Sequence, residues 1–233
     1  MNVLVACEYS GTVRDAFEDA GWDAWSCDLL PTESEQTKES GKHYQGDCLT
    51  LIDYVCNKRT WIDFKHLRLP EKWDLLIGHP PCTYLSFAYT GKERYSVGRL
   101  QNKIKAYQFF LDLWNAPIEH ICLENPIGYI HTGLLPYTQI VEPYYFGDAY
   151  KKKTCLWLKN LPKLYCTETG LFGEGTKTEP KKLLINGSRK EKRRLPAMFN
   201  AACKERSKFH KGIARAMAEQ WTKYIKNKNY EQK

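Results

Sequence analysis

Short, nearly continuous apolar runs alternate along this chain with stretches whose apolar residues recur every three or four positions. Asn2–Ala6 reads as a strand buried on both faces. Val13, Ala16, Phe17 and Ala20 then fall at helical spacing, with Gly21 where a helix-terminating glycine belongs. Asp23–Cys27 is a second strand, ended by Asp28, and Trp73–Ile77 a third, ended by Gly78 and the pair Pro80-Pro81. Leu100, Ile104, Tyr107, Leu111 and Trp114 form a helical stripe, read as core, which Asn115-Ala116-Pro117 stops. A strand carrying Glu124 follows, then strand candidates at Val141–Tyr145 and, antiparallel, at Cys155–Leu158. Ile213, Met217, Trp221 and Tyr224 predict a closing helix over Gly212–Ile225, with fraying from Asn227. Residues 31–42 lack apolar periodicity and read as an exposed loop, and 57–72 receive no element. The pattern predicts an α/β fold, a mostly parallel sheet with helices on both faces.

Two places in this pattern carry chemistry. A strand, a turn holding Gly11, a helix, a second strand and the acid Asp28 make the order of a dinucleotide or adenosyl-cofactor site. There, Asp28 is placed to accept hydrogen bonds from two ribose hydroxyls. The second place is Gly78-His-Pro-Pro-Cys-Thr-Tyr-Leu-Ser-Phe-Ala88. Cys82 leaves the carboxyl end of a strand on a loop stiffened by two prolines, where a thiol can act as a nucleophile. The alternative is a buried structural cysteine beside an ordinary turn.

Gly-x-Pro-Pro-Cys-x-x-x-Ser-x-Ala after an Asp-Leu-Leu-Ile strand resembles the nucleophile loop of the cytosine-C5 DNA methyltransferases. Ile121-Cys-Leu-Glu-Asn-Pro126, at the end of another apolar strand, resembles that family's Glu-Asn-Val motif. The resemblance implies a Rossmann-like class I methyltransferase fold and S-adenosylmethionine as cofactor. It implies that Cys82 attacks cytosine C6 and that Glu124 contacts N3. Gln45-Gly-Asp-Cys48 resembles the motif whose aspartate meets the adenine amino group, although Asp47 can equally be a helix N-cap before Leu49–Ile52. The implied cofactor contacts are Glu8, Tyr9, Ser10, Gly11, Asp28, Leu29, Asp47, Cys48 and Pro80. Phe146-Gly147 to Thr154 resembles the family's Tyr-Gly-x-Pro-Gln-x-Arg-x-Arg hairpin, with Lys152 and Thr154 in place of the two arginines. Lys152 therefore joins Cys82 and Glu124 as a catalytic candidate, and a solvated lysine run is its bland counterpart. Ser86, Asn125, Thr154, Arg189 and Arg193 are the implied substrate contacts. Tyr84–Gly98 resembles the family's lid over the target base or is an ordinary long loop, and the closing helix resembles the one that returns near the cofactor.

The chain departs from the family in two further places. The usual Phe-x-Gly-x-Gly is Cys7-Glu-Tyr-Ser-Gly11 here, and a separate target-reading domain is shrunken to about thirty residues between Leu158 and Arg189. The expected organisation is a catalytic core over 1–158, a basic substrate segment over 159–205, a returning helix over 206–226 and a frayed tail over 227–233.

Charge sharpens the partner. Of 233 residues, 1–130 hold 13 Lys/Arg against 18 Asp/Glu (net −5), and 131–233 hold 22 against 9 (net +13). That asymmetry fits a phosphate-binding surface, so nucleic acid, DNA first, is the expected partner. Nine cysteines without a Cys-x-x-Cys pair argue for reduced thiols in a cytoplasm and against a metal site. No run approaches the roughly 18 apolar residues of a membrane span, and the amino terminus enters a strand at once, so no membrane and no signal peptide are expected. The competing readings are an RNA cytosine-C5 or an N4-amino methyltransferase, or a catalytically silent nucleic-acid-binding or protein-binding module on the same scaffold.

Overall fold

Alternate residues of the first strand go to opposite faces, and both faces are buried. The structure, a computed structural model, describes residues 1–58, 64, 66–87, 96–148, 152–166 and 209–231. In β1 (Asn2–Ala6), Val3 and Val5 join one apolar cluster while Leu4 and Ala6 join another. The remaining strands are β2 (Asp23–Asp28), β3 (His43–Gln45), β4 (Leu75–Gly78), β5 (His120–Pro126), β6 (Gln139–Val141) and β7 (Thr154–Lys159). They form one sheet in the order β3-β2-β1-β4-β5-β7-β6. β1 to β5 pair parallel, and β7 is antiparallel to both β5 and β6. This is the expected Rossmann-like α/β architecture, including the antiparallel strand at Cys155–Leu158. The chain reverses direction of winding between β1 and β4, which opens the crevice at their carboxyl ends.

Helices cover both faces. On one, Val13 and Phe17 of α1 (Thr12–Asp19) and Ile213, Met217 and Trp221 of α6 (Lys211–Glu231) pack with Val3, Val5, Leu75 and Ile77. On the other, Leu51 of α3 (Cys48–Ile52), Phe110 and Leu113 of α4 (Val97–Trp114) and Ile130 of α5 (Tyr129–Gly133) pack with Leu4, Leu76, Leu123 and Trp157. Among the described residues no helix is long and apolar enough to cross a membrane.

Four expectations need correction. Residues 31–42 are not all loop, since Glu35–Ser40 form a short helix, α2. Polar contacts hold it rather than an apolar stripe: the hydroxyls of Ser34 and Thr37 donate to the carboxylate of Asp15 on α1. The α4 stripe is core only in its second half. Leu100 and Ile104 are each 58% exposed, and apolar packing begins at Ala106. The Val141–Tyr145 strand stops at Val141, because Pro143 cannot donate to a ladder and starts a 3₁₀ turn over Pro143–Phe146. The closing helix does not fray at Asn227 but runs to Glu231, and Lys228 lies 5.8 Å above the Tyr224 ring one turn back. Most of the basic segment, 167–208, lies outside the described residues. Its first part is tied to α6, where the Trp221 indole donates to the Pro162 carbonyl at 3.0 Å.

α6 docks through a close approach at its first turn. The Gly212 amide donates to Asp148 Oδ2 at 3.0 Å, and a Cβ on Gly212 would stand 2.0 Å from the Phe146 carbonyl oxygen. Gly212→Ala must therefore push the helix start off the turn. We expect a loss of about 1–3 kcal/mol, read as a lower midpoint in urea. An unchanged midpoint would show that α6 docks through its later turns alone.

Candidate active site

The first half of the candidate site begins where β1 ends. Cys7 and Gly11 both have positive φ (60° and 74°), and a Cβ on Gly11 would come within 2.4 Å of Ser34 Cβ, so only glycine suits that position. Between them, Glu8 turns inward. Its carboxylate accepts the amides of Val13 (2.7 Å) and Arg14 (3.1 Å) and the Ser10 hydroxyl (3.2 Å). Burial raises the pKa of Glu8, opposed by His79 and by the two amides. Glu8 thus caps α1 from inside the turn and does not face an open cavity. Tyr9 holds α2's approach, its carbonyl accepting from the Glu33 amide at 2.8 Å.

Asp28 ends β2 and accepts the Leu30 amide at 2.9 Å. Asp47 caps α3 through the Leu49 amide and the Thr50 hydroxyl, both at 3.1 Å. These two acids lie with Leu29, Cys48, Cys7, Cys27, Pro81 and Phe109 around a largely apolar cavity of about 250 Å³. Of the proline pair, Pro81 lines this cavity; Pro80 is buried behind it. Two of its thiols resist ionisation: a hydrogen bond to Cys48 and then burial raise Cys7, and burial foremost raises Cys27. A larger cleft, about 780 Å³, runs between α1, α2, the Gly147 turn and α6. Its lining includes Ser10 and Asp148 but neither Asp28, Asp47, Cys82 nor Glu124. The smaller cavity is the one at the strand ends.

The second half of the site lies at the ends of β4 and β5. Gly78 pairs with Leu123, so the loop after β4 and Glu124 on β5 leave the same edge side by side. The Asn125 amide nitrogen, fully buried, donates to the Pro80 carbonyl at 2.7 Å and to the Glu124 carbonyl at 2.9 Å. Asn125 is therefore behind the loop, fixing it, rather than out on a substrate surface. Beyond the prolines, the Cys82 carbonyl accepts the amides of Leu85 (3.0 Å) and Ser86 (2.9 Å). Ser86 bridges Gly128, and the Tyr129 amide donates to Leu85 at 2.8 Å. Cys82 itself is exposed. Glu124 is mostly covered, and its Oε2 lies 3.4 Å from His79 Nδ1. The His79 ring packs on Phe209 with centroids 4.7 Å apart.

Thr154 is buried at the start of β7, its hydroxyl on the Lys152 carbonyl at 3.2 Å, so it faces the chain rather than a ligand. Lys152 is half-buried just before it. Burial and the Lys152 charge lower the pKa of His210, while Asp148 and Glu124 oppose them. Lys152, His210, His79 and Glu124 thus share one electrostatic neighbourhood. Arg189, Arg193 and residues 88–95 of the expected lid lie outside the described residues.

Sequence reasoning missed three groups. His79 stands inside the motif it singled out, between the strand and the prolines, and that position was the available signal. Phe209 and His210 come together with it only through the return of α6. Arg14 is fully buried, with Nε on the Ala24 carbonyl at 3.0 Å and ion pairs to Asp15 and Glu18. Its place in an apolar helical run gave no sign of that.

No family model matches the chain, and no curated protein matches it. Among solved structures, the S. pombe Dnmt2 methyltransferase is similar over 78% of this chain and 58% of its own, with 19% identity and a TM-score of 0.44. The chain spans less than two thirds of that protein's length.

The buried Asn125 amide makes a direct prediction. Asn125→Leu leaves the Pro80 carbonyl without its donor, which should cost about 1–3 kcal/mol in denaturant unfolding. It should also change the alkylation rate of Cys82, followed by peptide mass mapping. A Cys82 rate identical to wild type would mean the amide does not position the loop.

Proposed function

We propose that the chain is an S-adenosylmethionine-dependent methyltransferase that acts at C5 of cytosine in nucleic acid, DNA first, through a covalent bond between Cys82 and C6. One observation carries the reading. A solvent-open thiol and a covered carboxyl leave neighbouring strand ends, tied together by Asn125, beside a cavity whose rim bears Asp28 and Asp47.

The residues around the cavity suit the cofactor. Asp28 accepts from the ribose hydroxyls, Leu29 covers the adenine, and Asp47 is near its amino group while still capping α3. When bound, the cofactor supplies an electrophilic methyl group. The protein's own part is to make C5 nucleophilic. The Cys82 thiolate adds to C6, and Glu124 holds N3 and gives it a proton as negative charge develops on the ring. C5 then accepts the methyl group, the C5 proton leaves, and the Cys82–C6 bond breaks to restore the aromatic ring. Lys152 holds the base or an adjacent phosphate as a point charge. A base inside a duplex is out of reach of Cys82, so the target is flipped out or already unpaired. The net +13 of residues 131–233 favours phosphate contacts, and the short segment in place of a reading domain favours weak sequence preference.

The direct test is DNA containing 5-fluorocytosine. Fluorine at C5 cannot depart as a proton does, so methyl transfer should trap the adduct. The cross-link should require S-adenosylmethionine, map to Cys82 and vanish in Cys82→Ser, which should still bind cofactor. Methylation at N4 with Cys82→Ser active would assign the chain to amino-methyl transfer instead, and RNA as the preferred substrate would replace DNA. Asp28→Ala should weaken cofactor binding about tenfold or more in calorimetry, since a charged acceptor for two hydroxyls is lost. Unchanged affinity would remove Asp28 from the site. DNA affinity should fall steeply with salt; a flat salt dependence would argue against phosphate-dominated binding.

A further inference from the structure

His79 has an unusual set of neighbours for a histidine at a strand end. Its backbone amide is fixed on the Ala6 carbonyl at 3.0 Å, and its side chain is only 12% exposed. Nδ1 faces Glu124 Oε2 at 3.4 Å. Nε2 is buried with no hydrogen-bond partner among the described residues. Phe209 packs against the ring and limits its rotation. Glu8 after β1 and Glu124 on β5 act on it directly, and Glu124 is in turn felt by His210 before α6, which Lys152 before β7 and Asp148 also influence.

The two ring nitrogens therefore have different roles. Nδ1 faces a carboxyl oxygen, which accepts, so the proton belongs on Nδ1. A proton on Nε2 would be a buried donor with nothing to receive it, which costs more than leaving a bare ring nitrogen there. We propose that His79 is a positioning residue for Glu124: its Nδ1–H holds Oε2, so that Oε1 is the oxygen that carries the proton to N3 of the target base. This rests on the cytosine-C5 reading given above.

The chemistry follows from charge. As the Cys82 thiolate bonds to C6, electron density moves to N3, the Oε1 proton passes to N3, and Glu124 becomes a carboxylate. His79 keeps its own proton throughout. A hydrogen bond to an ionised acceptor is roughly twice as strong as one to a neutral acceptor. The His79 bond therefore strengthens during the step, and an interaction stronger in the transition state than in the ground state is one that accelerates. Its 3.4 Å length is that of a contact still to tighten, as is common at catalytic pairs before substrate arrives.

Two substitutions separate this role from packing. His79→Asn puts an amide N–H near the place of Nδ1–H, and His79→Leu fills the volume without a donor. His79→Leu should lower kcat about 10- to 100-fold with KM and cofactor affinity near wild type, and His79→Asn should recover most of the loss. Without the donor the carboxylate is less stabilised, so Glu124 keeps its proton to higher pH. The alkaline limb of the pH–rate profile should move upward in His79→Leu even as the plateau falls, a shift that a packing role would not produce. In a Glu124→Gln background, His79→Leu should add little further loss. Equal rates for His79→Leu and wild type, an unmoved limb, or failure of a well-folded His79→Asn to recover activity would each overturn the proposal.

A second measurement needs no substrate. Long-range proton–nitrogen spectra of the full chain with ¹⁵N-labelled histidine should show His79 as the Nδ1–H tautomer, with a resonance shifted by Glu124→Gln. An Nε2–H tautomer, or no response to Glu124→Gln, would also overturn it. If wild type forms no cytosine adduct, the cytosine-C5 reading falls, and the spectra still decide whether His79 holds Glu124.

Discussion

A single buried amide ties the loop that carries Cys82 to the strand that carries Glu124. Pro80 and Pro81 have no N–H, so the loop after β4 cannot join the neighbouring ladder. At the prolines it is held instead by the Asn125 side chain, which donates to the Pro80 carbonyl at 2.7 Å. Asn125 can serve because β5 is rigid past the point where β4 ends. The β4 ladder stops at Gly78 opposite Leu123, while β7 pairs on through Glu124, Asn125 and Pro126. The antiparallel strand thus supports an overhang that carries both the acid and the clamp. Without β7, Glu124 would sit on a loose strand end, and so would the partner that places Cys82.

A second line of interaction runs across the strand ends at right angles to the first. Glu8 follows β1, His79 follows β4 and Glu124 lies near the end of β5. These three strands are consecutive in the sheet. The central imidazole acts on both acids, touching Glu124 and opposing the burial that raises Glu8. Glu8 in turn caps α1, whose start closes the turn after β1. The turn after β1 is thus shaped by an inward carboxylate and a single obligatory glycine.

The parts legible in the sequence were those whose cause is local. β1 is apolar at every inward position on both faces, so its double burial could be read directly, and Gly11 and Gly21 mark positive φ where a turn needs it. What stayed hidden depends on contacts distant in the chain. Thr37 is buried because Asp15, 22 residues earlier, takes its hydroxyl. Leu100 and Ile104 have the spacing of a core stripe, but periodicity cannot tell a face that meets the sheet from one that lies ahead of it. At the site, Cys82 and Glu124 were visible as motif residues. The role of Asn125 was not, because its partner lies 45 residues away.

Burial sorts the cysteines of the described residues. Cys27, Cys122 and Cys155 line strands inside the sheet, and burial foremost raises each, Cys155 to about 11. Cys122 and Cys155 are raised further by the negative charge of Glu124. Cys7 is raised mainly by its hydrogen bond to Cys48, and Cys56 by burial. Thiols so held are protonated near neutral pH and poor nucleophiles. Glu124 therefore has two effects on sulfur in this fold: it suppresses ionisation of the thiols within the sheet, and it stands beside the loop that carries an exposed one. Cys82 and Cys166 are the exposed thiols among the described residues. Of these two, only Cys82 is fixed by backbone hydrogen bonds at the carboxyl ends of the parallel strands, where the sheet order reverses.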